Sequence, residues 1–397
     1  MTEPDTSQPG SARAGHPQPD TARPSDARAS AIRLDGAALD RLRPLAFSVA
    51  YRMLGSVAEA EDVVQEALIR LSQADDVRNP DAFVTTVTTR IAIDVLRSAR
   101  VRRESYVGEW LPEPLVGPVQ SNLPVAMAAL PPDAAAHAEL ADDLSTAFLV
   151  LLETLTPTER AAFLLHDVLG FPHSDAAEVI GTSEVAARQL ASRARRRIAR
   201  QRGDVGGRAP SADTAASADP VRSGTPSGNR SSSRPGDRSD RARGDRVRTD
   251  RARADELVTR FLAACEEGAV DSFLELLAED VVLTGDSGGN VPPGMSLARP
   301  VAGRVAIARL LAGFMRRGGP FRFERALVGG EPGLLIMADE SMGGGLIGTW
   351  AFEVSDGQLA GIRGVINPEK LRHLAPLADL GRIQAWLRGP GRRRPAR

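Results

Sequence analysis

Residues 155–202 read LTPTERAAFLLHDVLGFPHSDAAEVIGTSEVAARQLASRARRRIARQR, and the fold is decided there. Thr156 can cap a helix, Pro157 suits its first position, and Glu159 three residues past the cap completes a capping box. Ala162, Phe163, Leu165, Val168 and Leu169 then recur close to one helical face, until Gly170 ends the run. A second helix is predicted from Ser174, turning Ala176, Ala177 and Ile180 inward. Gly181 supplies the turn. Ser183 caps a third helix, whose inner side has Ala187, Leu190, Ala191 and Ala194. From Thr182 to Arg202 this helix carries seven arginines against one glutamate, and its first turns offer Glu184, Arg188, Gln189, Ser192 and Arg193 outward. Two short helices, a glycine turn and a basic helix predict a helix-turn-helix with its last helix in a DNA major groove. Arginine pairs bidentately with guanine and glutamine with adenine, so the side-chain types suit base reading. The bland alternative is a solvated basic helix in a bundle.

The chain has 397 residues, enough for two or three domains. Its net charge of −1 hides an uneven distribution of 50 basic and 51 acidic residues. Lys370 is the only lysine. A single cysteine, Cys265, excludes an internal disulfide and a multi-cysteine zinc site, which fits a reducing cytoplasm. Five histidines show no metal-ligating spacing, and the sequence offers neither a signal peptide nor a membrane-spanning run.

Residues 1–34 are rich in Pro, Ser, Ala, Arg and Asp and are predicted disordered. Residues 35–105 read as a helical domain. In its segment Ala58–Leu71, Ala60, Val63, Val64, Ala67, Leu68 and Leu71 form an amphipathic stripe, and the other side is acidic at Glu59, Glu61, Asp62 and Glu66. Asp62 and Glu66 repel across one turn, so either the acidic face is kept for a cationic partner or it is an ordinary solvated face. Asn79-Pro80-Asp81 opens a further helix with Phe83, Val84, Val87, Ile91, Val95 and Leu96 inside. Its end is basic at Arg90, Arg97, Arg100, Arg102 and Arg103, suited to phosphates, and Asp94 is expected to pair with Arg90.

The segment Ala58–Leu71, the run Ala92-Ile93-Asp94-Val95-Leu96-Arg97 and the stretch 155–202, in this order, resemble sigma factors of the extracytoplasmic-function type in the sigma-70 family. The resemblance implies region 2 over 35–105, a linker over 106–140 and the region 4 helix-turn-helix over 141–202. It implies core RNA polymerase, through its β′ clamp and β flap, and promoter DNA as partners. Glu61, Asp62, Gln65 and Glu66 would be polymerase contacts. Arg97, Arg100 and Arg103 would face the −10 element. Ser183, Glu184, Arg188, Gln189, Ser192, Arg193 and Arg196 would face the −35 element. Promoter opening also wants aromatic platforms, and this region offers mainly Phe83, Tyr106 and Trp110.

Within the linker, Trp110-Leu111-Pro112-Glu113-Pro114 is extended by its prolines and leaves the tryptophan free to dock. It looks like the linker signature of the sigma subgroup that bears a SnoaL-like C-terminal domain. That subgroup also shows an Asn-Pro-Asp-Lys-Leu motif, matched by Asn367-Pro368-Glu369-Lys370-Leu371. Its Asp-Gly-Gly-Gly-Lys motif finds a partial counterpart in Asp286-Ser287-Gly288-Gly289-Asn290, without the lysine. The resemblance implies that these segments are regulatory and join the C-terminal domain to region 2 and the linker.

Residues 203–253 are low-complexity Arg, Asp, Ser, Gly, Pro and Ala, predicted to be a flexible tether with a span of roughly 40 Å. Residues 254–375 read as an α+β domain and 376–397 as a basic tail. Helices are predicted over 256–267, 270–277 and 304–316. Strands are predicted over 281–284, 321–328, 334–339, 347–354 and 358–366, with Trp350, Phe352 and Val354 alternating toward one face. This order resembles the ketosteroid-isomerase-like cone. The fold class is therefore multi-domain: two all-α sigma modules plus an α+β SnoaL-like domain. Cone enzymes need a carboxylate base and an oxyanion donor. Asp280, Asp286, Asp339 and Glu340 could supply the first. Both tyrosines, Tyr51 and Tyr106, lie outside the domain, and His373 reads as a surface residue. No catalytic residue, metal or cofactor is expected. A polymerase-independent DNA-binding regulator with a ligand-sensing or enzymatic C-terminal domain stays open beside the sigma reading.

Overall fold

Ser56 caps the helix that carries the acidic face, accepting from the Glu59 N–H at 3.2 Å, and the apolar stripe beyond it builds the first core. The computed structural model describes residues 36–75, 77–104, 106–117, 145–205 and 236–388. The expectations for 1–34 and for the remainder of the linker, tether and tail (118–144, 206–235 and 389–397) lie outside the described residues.

Helices α1 (Gly36–Leu54), α2 (Val57–Gln73) and α3 (Pro80–Glu104) form the first module. The second holds α4 (Thr146–Leu152), α5 (Pro157–Phe163), α6 (His173–Ile180) and α7 (Glu184–Val205), with a π-helical turn at Leu164–Val168 after α5. The Thr156–Glu159 capping box is formed in both directions, and Gly181 takes a left-handed conformation at φ 76° that a side chain would oppose. The two modules share one core: Leu42, Met53, Val64 and Ile93 of the first pack with Leu152, Leu164, Ala194 and Ile198 of the second.

The C-terminal domain is a mixed seven-stranded sheet under helices α8 (Gly236–Glu267), α9 (Val270–Leu274) and α10 (Arg304–Arg317). Its strands are β1 (Val116–Gly117), β2 (Leu277–Asp286), β3 (Val301–Ala302), β4 (Phe321–Val328), β5 (Glu331–Ala338), β6 (Leu346–Ser355) and β7 (Gln358–Val365). Their order is β1-β4-β5-β6-β7-β2-β3, with β2 and β7 parallel and the other pairs antiparallel. The space under the helices is filled. Phe261 lies 5.6 Å from Phe273, 4.8 Å from Phe352 and 5.9 Å from Trp350, centroid to centroid. A short helix α11 (Pro368–Leu371) and helix α12 (Leu380–Arg388) complete the chain.

Several features differ from the sequence reading. The helix expected over 270–277 stops at Leu274, and β2 runs from Leu277 to Asp286 in place of a strand over 281–284, while β3 at Val301–Ala302 is not expected from the sequence. Residues 236–253 are helical, as the first part of α8, where a coil is expected. Their aspartates and arginines stand four apart at Asp237 and Arg241 and three apart at Asp245 and Arg248, spacing that supports a helix. Helix α12 is not a loose basic tail. Ile383 is buried and Trp386 and Leu387 pack with it on Ile336, Met342 and Ile347, so the domain extends to Arg388. Finally, the linker adds strand β1 to the sheet edge, pairing Val116 with Val328 and Gly117 with Leu327.

Candidate functional site

Tyr106 to Gly117 lies between the first helical module and the C-terminal domain and is held on both sides. On the first side, the Glu113 N–H donates to Gly55 O at 2.8 Å, and Tyr51 donates its hydroxyl to Glu113 O at 2.6 Å. Burial, aided by the Glu113 charge, pushes the Tyr51 hydroxyl far above its ordinary range, so it stays a donor. The Glu113 carboxylate caps α2. It accepts from the Ser56 hydroxyl at 2.7 Å and from the N–H groups of Val57 at 2.8 Å and Ala58 at 3.4 Å. An anion at a helix N-terminus is favoured by the orphan N–H groups and by the helix dipole. The Trp110 ring covers Gly55, where a Cβ would lie 2.7 Å from the ring, on a backbone already at φ 66°.

On the other side, Asp286 at the end of β2 is fully buried, and both its oxygens are satisfied. Oδ1 accepts from the Tyr106 hydroxyl at 2.6 Å and the Gly288 N–H at 3.0 Å; Oδ2 accepts from the Leu111 N–H at 2.7 Å and Lys370 Nζ at 2.7 Å. Lys370 also donates to Leu111 O, so the two side chains together take up both backbone polar groups of Leu111. The ammonium sits 4.2 Å from the Trp110 ring centroid and 4.9 Å from that of Tyr106, a cation–π arrangement in a desolvated place. Asn367 donates from Nδ2 to the Tyr106 hydroxyl at 2.9 Å, while its Oδ1 caps α11 through the Glu369 N–H at 3.1 Å. Burial and then the hydrogen bond to Asp286 push the Tyr106 hydroxyl far up, which keeps its proton in place. A Cβ on Gly288 would lie 2.3 Å from Asn367 Nδ2, so only glycine lets this loop close. Leu111 itself is buried with Leu346, Val365 and Leu371, and Pro114 O meets His373 Nε2 at 3.0 Å.

The structure thus brings to one place the three segments for which the resemblance implies a regulatory role: Trp110, Leu111, Pro112, Glu113 and Pro114; Asp286, Gly288 and Gly289; and Asn367, Pro368, Glu369, Lys370 and Leu371. Sequence reasoning missed Gly55, Tyr106 and His373 as parts of it. It placed Tyr106 outside the C-terminal domain as a possible stacking platform; the hydroxyl is in fact bonded to Asp286. Tyr106 and Asp286 are a donor and a carboxylate in contact, but Tyr106, Leu111 and Lys370 spend their bonds to that carboxylate on holding the linker, and the Gly288 N–H closes the carboxylate's own loop.

The DNA-facing candidates fall on two helices. On α7, Glu184, Arg188 and Gln189 are exposed, and Glu184 pairs with Arg188 at 2.7 Å. Ser183 accepts from the Ala186 N–H at 3.2 Å as the cap, Ser192 is half-buried, and Arg196 is exposed. Arg193 and Arg197 reach back to the buried Glu159, at 3.4 and 2.9 Å. On α3, Arg97 is exposed; Arg100 and Arg103 continue the helix, but their side chains lie outside the described residues. Asp94 pairs with Arg97 at 3.3 Å and not with Arg90. Arg90 instead donates to the C-terminal carbonyls of α6, Glu178 O at 2.8 Å and Val179 O at 3.0 Å. Arg160, almost wholly buried on α5, donates to Met53 O and to Leu152 O, both at 2.6 Å. On α2, Glu61, Asp62 and Gln65 are exposed and Glu66 is half-exposed, paired with Arg70 at 2.8 Å.

Comparison with known proteins gives matches in the same order. Residues 38–102 match the model of sigma-70 region 2, and residues 145–198 match that of sigma-70 region 4. The chain is 36% identical over 344 residues to the ECF RNA polymerase sigma factor SigJ of Mycobacterium tuberculosis, covering 85% of this chain and 93% of the relative. It is 35% identical over 158 residues to the probable ECF RNA polymerase sigma factor SigI of the same species, covering 39% of this chain and 51% of the relative. The crystal structure of M. tuberculosis SigJ superposes with a TM-score of 0.59 at 31% identity, covering 85% of this chain and 98% of that one.

Proposed function

The chain belongs to the extracytoplasmic-function sigma factors of the sigma-70 family, and from that premise we propose how its fused SnoaL-like domain governs it. As a sigma factor it binds core RNA polymerase and directs promoter-specific transcription initiation. In the proposed division of labour, Glu61, Asp62, Gln65 and Glu66 on α2 meet the β′ clamp, and region 4 meets the β flap. Arg97, Arg100 and Arg103 face the −10 element. Ser183, Glu184, Arg188, Gln189, Ser192, Arg193 and Arg196 serve the −35 element. Arg193 is given a positioning part there because Glu159 already holds it. Among the described residues no helix is long and apolar enough to cross a membrane, and the work is assigned to the cytoplasm, where the polymerase is.

The C-terminal domain acts by contact, in this proposal, holding the two DNA-binding modules together. The observation that carries it is the linker, gripped by region 2 through Glu113 and by the C-terminal domain through Asp286 and Lys370. Elements centred 10 and 35 base pairs before the start are separated by about 25 base pairs, or about 85 Å of duplex. Regions 2 and 4 here share a core and are tied by Arg90 and Arg160, so promoter engagement requires them to part. Releasing the linker is the step the C-terminal domain controls.

The test is promoter-specific transcription with bacterial core polymerase, comparing the full chain with one ending at Arg202. More promoter-dependent RNA from the shorter chain supports a restraining domain; equal or less RNA refutes restraint. RNA from neither form, on a template carrying a mapped binding site, favours the polymerase-independent regulator.

A further inference from the structure

Val185, the second residue of the recognition helix, is one of the most solvent-exposed large apolar side chains among the described residues, at 64%. Single exposed apolar residues are ordinary on protein surfaces, so exposure alone decides nothing. Its position does. At 3.6 residues per turn, Val185, Arg188, Gln189, Ser192 and Arg196 fall within an arc of about 100°. Val185 lies inside that arc, not at its edge. The buried residues Ala187, Ala191, Ala194 and Ile198 occupy the opposite side. Val185 is therefore turned away from every core of the protein, in the first turn of a helix whose first turns meet base edges.

An apolar group among Arg188, Gln189 and Arg196 gains nothing from water or phosphates. In a major groove the apolar feature of a base edge is the C5-methyl of thymine. Gln189, one turn on and about 5–6 Å from Val185 between Cβ atoms, has the amide suited to adenine. The Glu184–Arg188 pair flanks Val185 on the other side and keeps the Arg188 guanidinium beside it.

We propose that Val185 is a specificity-determining residue that packs on a thymine methyl within the −35 element, next to a base pair read by Gln189. The proposal rests on region 4 reading that element. It is independent of the polymerase-contacting residues and of what the C-terminal domain does.

The experiment uses holoenzyme assembled from core polymerase and the full chain, with a promoter recovered from random duplex by its binding. Each thymine of the protected upstream element is replaced in turn by deoxyuridine, which deletes only the methyl. One replacement should weaken wild-type binding about fourfold, the value of one buried methyl-sized group. Val185→Ala should show a similar loss on the thymine template and no further loss on that deoxyuridine template. Val185→Thr, which keeps one methyl, should bind between the two. Losses that simply multiply at every position, or no loss at any, overturn the proposal while leaving region 4 as the reader. Failure of wild-type holoenzyme to protect any upstream element would remove that premise, and the proposal with it.

Discussion

Lys370 and Asp286 form an ion pair of 2.7 Å with side-chain exposures of 8% and 0%, and between them they hold both backbone polar groups of Leu111. Burying two charges is costly unless the pair is close and its remaining bonding capacity is used. Here it is used, by Tyr106, Gly288 and Leu111 on one partner and by Leu111 O and two aromatic faces on the other. Lys370 is the chain's single lysine among 50 basic residues, and its place suits a compact ammonium on a thin stem better than a planar guanidinium.

Replacing that lysine isolates a buried carboxylate. Lys370→Met should destabilise the linker contact by about 3–5 kcal/mol, the usual cost of breaking a buried pair from one side. Lys370→Arg should rescue little. Urea unfolding together with protease cleavage of the linker would measure both. A Lys370→Met protein as resistant as wild type would show that the pair does not hold the linker.

Glu113 acts on region 2 through α2, the helix that bears Asp62 and Glu66. Glu113→Gln keeps the shape but loses the charge that faces the Val57 and Ala58 N–H groups. A loss of about 1–2 kcal/mol is expected, from the cap and the weakened charge-assisted bonds. Denaturant midpoints would show it, and the difference should shrink in a Ser56→Ala background, because Ser56 donates to the same carboxylate. Strictly additive effects of the two substitutions would show that the residues do not cooperate.

Glu331, at the start of β5, meets Ser145 and Ala147 at the start of α4, and its titration is expected to make this contact between the C-terminal domain and region 4 depend on pH. Burial pushes its carboxyl from an ordinary 4.5 up to about 7, with Glu353 adding to the shift. Arg363 and hydrogen bonds to the Ala147 backbone and the Ser145 side chain, at the start of α4, oppose it. A raised carboxyl favours the protonated form in the folded state. Its contribution is full below about 4.5, falls as pH rises toward about 7, and is constant above. Urea midpoints from pH 5 to 8 should therefore decline in the wild type and decline less in Glu331→Gln. Parallel profiles would remove Glu331 as the cause.

Much of this was legible in the sequence because its signals were local. The Thr156–Glu159 box, the Gly181 turn and the alternation of Trp350, Phe352 and Val354 each lie within a few residues of the structure they specify. The three linker-binding segments are named, and their meeting expected, only through the resemblance; no local pattern in the residues derives their convergence. Tyr106 meets Asp286 across 180 positions, and nothing near either residue encodes the bond. Strand β1 is two residues long, too short for alternation to show, and exists because Val328 offers it an edge. Arg90 and Asp94 stand four apart and could pair, yet the α6 carbonyls outcompete Asp94 for the guanidinium. Local spacing predicts such a pair only where no long-range acceptor is closer.

Arg160 makes the contact between regions 2 and 4 experimentally accessible. Its guanidinium forks to Met53 O at the end of α1 and to Leu152 O at the end of α4, with Glu153 at 2.8 Å as counter-charge. Arg160→Met keeps most of the buried volume but removes donors from two carbonyls, each costing about 1–3 kcal/mol if left unsatisfied. Arg160→Lys retains the charge near Glu153 without the fork, so it should fall between wild type and Arg160→Met. Fluorescence transfer between labels placed on α2 and α7, in a Cys265→Ser background, reports how often the regions part. Lower transfer in Arg160→Met is expected, with more promoter-specific RNA per molecule if separation limits engagement. Lower transfer with unchanged RNA output would place the limiting step in the linker clamp, while unchanged transfer would show that the shared apolar core holds the regions together without Arg160.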